Sequence, residues 1–253
     1  MTTALSTRPG PMHRLLDPAI RTILDRLDIQ PHHAVLEIGA GGGETTARLA
    51  QLVGRYGLVT TVDTDTSRLT PTTVIDIQQR DLDQEILPGT TDAYDHIIAR
   101  WTTGPLRDPV DVLEQMIARL RPGGWLVLAD IAPTTPTVYR APDTDDDHLI
   151  TAVMNRARHI LTGGDDASTW TGDIETLLVN RGMTQHCIHL GTETWTGNRP
   201  GCRLLADIVT HLRPELLTQF SDDELGRFAA LMADPRVLLA SYTHRLIHAR
   251  KND

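Results

Sequence analysis

Apolar residues follow two alternating spacings along this chain. Leu15, Leu16, Ile20, Ile23, Leu24 and Leu27 recur at helical intervals, which predicts an amphipathic helix over residues 12–28. A polar break from Gln30 to His33 precedes Ala34-Val35-Leu36-Glu37-Ile38, the pattern of a short buried strand. Gly39 to Gly43 is a glycine-rich turn, and helical spacing resumes through Ala47, Leu49, Ala50 and Val53. The β-branched run Leu58 to Val62 reads as a second strand, followed by strands over Thr73 to Ile77 and Tyr94 to Ala99. Asp108-Pro109 is a helix start, an N-cap followed by proline at the first helical position. Val110, Leu113, Ile117 and Leu120 line one face of that helix, and Arg121-Pro122-Gly123-Gly124 is expected to stop it before a strand from Trp125 to Ala129. Strands alternating with helices imply an α/β fold with a parallel sheet covered on both faces.

The pattern changes after Asp130. Ile131 to Asp147 is rich in Pro, Thr and Asp and reads as a long loop of the kind that often closes over a site; its acidic run Asp143 to Asp147 reads as solvated. Helices are expected over Leu149 to Leu161, Asp173 to Asn180, Cys202 to Thr218 and Ser221 to Met232, the last opening with Ser221 and Glu224 at capping-box spacing. Strands are expected over His186 to Leu190 and Ser241 to Ala249. The region is read as completing the sheet and roofing its active face. The expectation is one domain over residues 1–253: an N-terminal helical segment (1–33), a core (34–133), and an acceptor-side segment of loop, helices and closing strands (134–253).

Composition narrows the function. With 24 Lys and Arg against 33 Asp and Glu, the net charge of −9 disfavours a general nucleic-acid binder, which needs a basic footprint. Cys187 and Cys202 are too few for a disulfide framework or a cysteine zinc site. His186 and His189 would face opposite sides of a strand, and His244 and His248 have no evident third partner, so no metal site is expected. No apolar stretch suits a signal peptide or a membrane span, so the expected location is cytoplasmic.

The chemistry concentrates at Glu37-Ile38-Gly39-Ala40-Gly41-Gly42-Gly43-Glu44. A strand running through closely spaced glycines into a helix brings backbone and free N–H groups against a ligand. The dinucleotide fingerprint G-x-G-x-x-G would need glycine at position 44, where Glu44 would repel a pyrophosphate. The spacing is instead G-x-G-x-G, with Glu37 two residues ahead of it and Asp63 at the end of the next strand. A carboxylate there is acceptor-only and can take two hydroxyl donors at once; Asp65 competes for that task.

These residues resemble the class I S-adenosylmethionine-dependent methyltransferases. Arg80-Asp81-Leu82, Tyr94 to Arg100, Leu106 to Pro109 and Leu120 to Val127 extend the resemblance, and the Asp63-Thr64-Asp65 stretch makes it similar to actinobacterial small-molecule methyltransferases. The resemblance implies a Rossmann-like, mostly parallel seven-stranded sheet. It implies S-adenosylmethionine as cofactor and S-adenosylhomocysteine as product. It places Glu37, Gly39, Gly41 and Gly43 under the methionine end, Asp63 or Asp65 on the ribose, Asp81 and Leu82 by the adenine, and Arg100 either near the cofactor carboxylate or in a surface pair. The family's base carries over to no residue here, since Pro105 stands where many relatives have histidine; Asp130, Tyr139 and His13 remain candidates, and Trp101 with Tyr139 could line an acceptor pocket. The expected partner is a small-molecule acceptor, with a homodimer left open. The alternatives are an isoaspartyl-type or peptide methyltransferase, a cyclase or regulatory protein that binds the cofactor without methylating, and a nicotinamide oxidoreductase.

Overall fold

The computed structural model describes residues 20–100, 106–132, 134–162 and 174–252. They form two compact units. The first holds the chain up to Asp130, the segment ending at His189, and the chain from Leu246 onward; the second holds the remainder from Ile131 and from Leu190 to Arg245.

The first unit is built on a seven-stranded sheet. Its strands are β1 (Ala34–Ile38), β2 (Leu58–Asp63), β3 (Ile75–Gln79), β4 (Tyr94–Arg100), β5 (Leu120–Ile131), β7 (Met183–Gly191) and β10 (His244–Lys251), in the order β3-β2-β1-β4-β5-β10-β7. β1 pairs in parallel with β2 on one side and β4 on the other, so the strand order reverses at β1. β2–β3 and β4–β5 are also parallel pairs. Open sheets of this kind hold ligands outside the carboxyl ends of their strands at such a reversal.

Alternation along the strands accounts for the layers. Val35, Val59, Ile98, Val127, Ala129 and Leu246 face one side and form a core with Leu49 and Val53 of α2 (Glu44–Val53) and with Ile20, Ile23 and Leu24 of α1 (residues 20–24). Leu36, Ile38, Ile97, Leu126 and Leu128 face the other side and are equally buried, as are Val112, Leu113, Met116 and Ile117 of α3 (Pro109–Arg119). Burial of both faces is what a parallel sheet requires.

Several boundaries differ from expectation. The third strand starts at Ile75 rather than Thr73, and residues 64–74 reach it through turns with no helix. β5 begins at Leu120, because Arg121 to Gly124 bulge within the strand: Tyr94 pairs with Leu120, but His96 pairs with Trp125. A helix α5 spans 174–180 of the described residues.

The second unit contains a sheet that periodicity did not anticipate, β6-β9-β8, made of β6 (Val138–Arg140), β8 (Thr194–Thr196) and β9 (Leu238–Ala240) paired antiparallel. β6 lies in the stretch expected as loop, β9 ends before the strand expected from Ser241, and that strand is β10, which starts at His244. The acidic run does not form a solvated loop: it opens α4 (Thr144–Leu161), where Asp143 accepts from the Asp146 amide at 2.8 Å and three further acids face the positive helix end. Asp146 is buried and takes a forked pair from Arg227, at 2.8 and 2.6 Å. Pro214 divides the expected Cys202–Thr218 helix into α6 (Pro200–His211) and α7 (Arg213–Leu216), since its ring cannot continue a helix from the preceding turn. α8 (Asp222–Ala233) carries the expected capping box between Ser221 and Glu224.

At the amino end of the first sheet, His96 on β4 is buried against His33, ring nitrogen to ring nitrogen at 3.0 Å. His33 Nδ1 also accepts the Gln30 amide, so His96 Nε2 is the donor of the pair, and His96 Nδ1 is left buried with no hydrogen bond. Burial, then the neighbouring His33, hold His96 down to about 4. The unfolded chain takes up this proton near its ordinary value of about 6.5, the folded chain only near 4, so stability is full above that upper value and falls with pH through the interval, by up to about 3 kcal/mol. Chemical denaturation across this range should show a steeper acid loss for the wild type than for His96→Gln.

Candidate functional site

β1 ends in a turn whose shape depends on glycine. Gly39, Gly41 and Gly43 have φ of 80°, 56° and 86°, a region that side chains with a Cβ rarely adopt. Gly43 is also crowded: a Cβ there would stand 2.9 Å from Leu69 Cδ2. The three glycines of the G-x-G-x-G spacing are therefore the three left-handed positions of the turn.

Beside the turn, Asp63 closes β2, which pairs with β1 in register from Ala34–Leu58 to Ile38–Val62. Its Oδ2 accepts from the Gly41 amide at 2.8 Å, and its Oδ1 from the Asp65 amide at 3.0 Å. The carboxylate stays half-buried; Oδ1 also accepts from the Thr64 hydroxyl at 3.5 Å, and Oδ2 retains a lone pair for a further donor. Asp65 does not reach the glycines; it accepts from the Ser67 amide at 3.0 Å, and the Ser67 hydroxyl, followed by that amide, holds its carboxyl below the ordinary range.

Glu37 and Arg100 lie under the turn rather than at its surface. Glu37 is 0% and Arg100 1% exposed, so Arg100 is not in a surface pair. Arg100 Nη2 donates to Glu37 Oε1 at 3.2 Å and to the carbonyls of Gly39 and Ala40 at 3.2 and 3.1 Å. The other Glu37 oxygen accepts from Thr46 of α2 and from Thr61, its cross-strand neighbour on β2. Burial raises the Glu37 carboxyl above its ordinary value, with Arg100 and the two hydroxyls pulling against it. Both residues thus shape the turn from beneath. Thr46 and Thr61, which sequence reasoning passed over, belong to this network; for Thr61 the signal was a polar side chain at a buried position of an apolar strand, while Thr46 stands on α2.

Asp81 follows β3, where its carboxylate accepts from the Asp83 amide at 3.0 Å and from Gln84 at 2.7 Å, fastening a turn that includes half-buried Leu82. Asp130 is buried near the end of β5. Tyr139 lies on β6 of the second unit, 56% exposed, and is no core residue. His13 and Trp101 lie outside the described residues.

Glu44 is the first residue of α2, and its carboxylate folds back over the turn, 2.5 Å from where a Gly42 Cβ would stand. The positive helix end, where a dinucleotide fold would seat a pyrophosphate, already faces a carboxylate.

The buried pair makes a clear prediction. Arg100→Met leaves Glu37 uncompensated and should cost about 3–5 kcal/mol in chemical denaturation. Adding Glu37→Gln to that variant should recover part of the loss.

The comparisons agree with this architecture. The methyltransferase-domain family matches residues 12–187. The ubiquinone/menaquinone biosynthesis C-methyltransferase UbiE of Hahella chejuensis is 28% identical over 141 residues, 52% of this chain and 55% of that protein. The chain spans about half the length of the curated relatives it matches. Among solved structures, phosphoethanolamine N-methyltransferase 2 of Haemonchus contortus, in complex with S-adenosyl-L-methionine, superposes with a TM-score of 0.54 at 13% identity, over 97% of this chain and 57% of that one. The [4+2]-cyclase SpnF gives a TM-score of 0.53 at 14% identity, over 94% and 82% of the two chains. At these identities the structural likeness concerns the fold. With the family match covering well over half of its length, on a sheet whose order reverses at the glycine turn, the chain belongs to the methyltransferase-domain family.

Proposed function

We propose that this protein binds S-adenosylmethionine at the β1 turn and transfers its methyl group to a small-molecule acceptor. The observation that carries the reading is the Asp63 carboxylate, held at the end of β2 by the Gly41 amide and open to further donors. An acceptor-only group beside a bare backbone turn suits a ribose diol next to an uncharged or cationic chain, and the Glu44 carboxylate turns away a pyrophosphate. S-adenosylmethionine supplies an already activated methyl group as a sulfonium. The chain's own residues then bind and orient: Asp63 takes the ribose hydroxyls, the glycines bring backbone to the methionine end, and Glu37 with Arg100 keeps that backbone in place. Asp81 and Leu82 are assigned to the adenine side, and Asp65 to supporting the loop after β2. Asp130 and Tyr139 are the described candidates for taking a proton from the acceptor; an acceptor that is already nucleophilic needs none.

We propose a natural-product acceptor, as the resemblance of the Asp63-Thr64-Asp65 stretch implies, and the net charge of −9 favours one other than nucleic acid. Among the described residues, no helix is long and apolar enough to cross a membrane, and a cytoplasmic location is proposed. A second reading draws on the fold shared with a [4+2]-cyclase: the protein would hold the cofactor and leave its methyl group unspent.

Calorimetry with S-adenosylhomocysteine tests the site. The wild type should bind in the micromolar range, and Asp63→Ala should bind at least tenfold more weakly, about 1.4 kcal/mol. NAD should not bind. No S-adenosylhomocysteine binding by the wild type would refute the proposal. Formation of S-adenosylhomocysteine from S-adenosylmethionine with candidate acceptors separates the methylating reading from the non-methylating one.

A further inference from the structure

Away from the glycine turn, Cys187, His189 and His248 each bring one ligand atom to a common point in the first unit, all within 4.8 Å of one another. We propose that these three residues form a binding site for a divalent transition-metal cation, with Zn²⁺ the best match. Cys187 and His189 are two residues apart on β7 and share a face, while His248 stands on the adjacent strand β10. Cys187 Sγ lies 3.3 Å from His189 Nε2, and the His189 and His248 rings stack with centroids 5.5 Å apart. A tetrahedral zinc with Zn–N of about 2.0 Å and Zn–S of about 2.3 Å places its ligand atoms about 3.3–3.6 Å apart, so the cluster needs only a small contraction.

A second observation points the same way. His248 Nδ1 is buried and makes no hydrogen bond, which is costly for a ring nitrogen unless it gains a partner. Trp125 also packs beside His248, with ring centroids 5.6 Å apart. One thiolate and two imidazoles form a borderline-soft donor set that suits zinc over magnesium or calcium. Three protein ligands leave the fourth position to solvent or an added ligand. The ion would pin β7, the last strand of the sheet, to β10.

The test uses the untagged chain, stripped with a chelator and titrated with Co²⁺ and Zn²⁺. Cobalt should bind at about one ion per chain with a thiolate-to-cobalt charge-transfer band. That band would come from Cys187, because Cys202 is 0% exposed. Cys187→Ser should abolish the band, and His248→Ala should weaken Zn²⁺ binding at least tenfold, with circular dichroism confirming that each variant folds. Zinc should raise the melting temperature of the wild type and leave that of Cys187→Ser unchanged. Absence of the charge-transfer band in the wild type, or equal Zn²⁺ affinity in the wild type and both folded variants, would overturn the proposal.

Discussion

A fully buried carboxylate beside the carboxyl edge of a sheet is tolerated only if every lone pair it turns inward meets a donor, and the Glu37–Arg100 pair imposes that condition on four elements at once. β1 supplies Glu37, β4 supplies Arg100, β2 supplies Thr61 and α2 supplies Thr46. Such a pair adds little net stability relative to an apolar substitute, because both charges lose their water. What it sets is geometry. Arg100 also holds the carbonyls of Gly39 and Ala40, so the path of the turn is determined from below while the Gly41 amide is left to Asp63.

That arrangement explains why the chemistry gathers at the reversal of strand order. β1 is flanked by parallel strands on both sides, and open sheets of this kind hold ligands outside the carboxyl ends of their strands at such a reversal. The glycines present bare backbone at the turn, Asp63 supplies an acceptor beside it, and Glu44 sets its charge at the start of α2. Sheets of this architecture carry many activities, and it is these side chains that narrow the ligand.

The strands of the parallel core were legible because each is a dense apolar run bounded by glycine, proline or polar breaks; β1, β2 and β4 fall within a residue of where periodicity puts them. The exceptions have local physical causes. The Pro122-Gly123-Gly124 signal reads as a stop, but tertiary pairing of Leu120 with Tyr94 draws it into β5 as a bulge. The acids from Asp143 to Asp147 read as solvated charge, whereas an Asp N-cap and a helix dipole make them a favourable first turn. β6, β8 and β9 are three residues each, too short for alternation to register, and they exist because they pair with one another.

The sequence alone determined the α/β alternation, the glycines whose backbone needs left-handed angles, and the acids at the ends of β1 and β2, since these are properties of short contiguous stretches. Tertiary structure decided which acid meets the turn, selecting Asp63 over Asp65, and turned Glu37 and Arg100 inward to each other across 63 residues of chain. It also brought His248 to Cys187 and His189, because adjacency between β7 and β10 is a fact of sheet order. Periodicity reports which face of an element a residue occupies; only the packing of distant strands reports what stands opposite it.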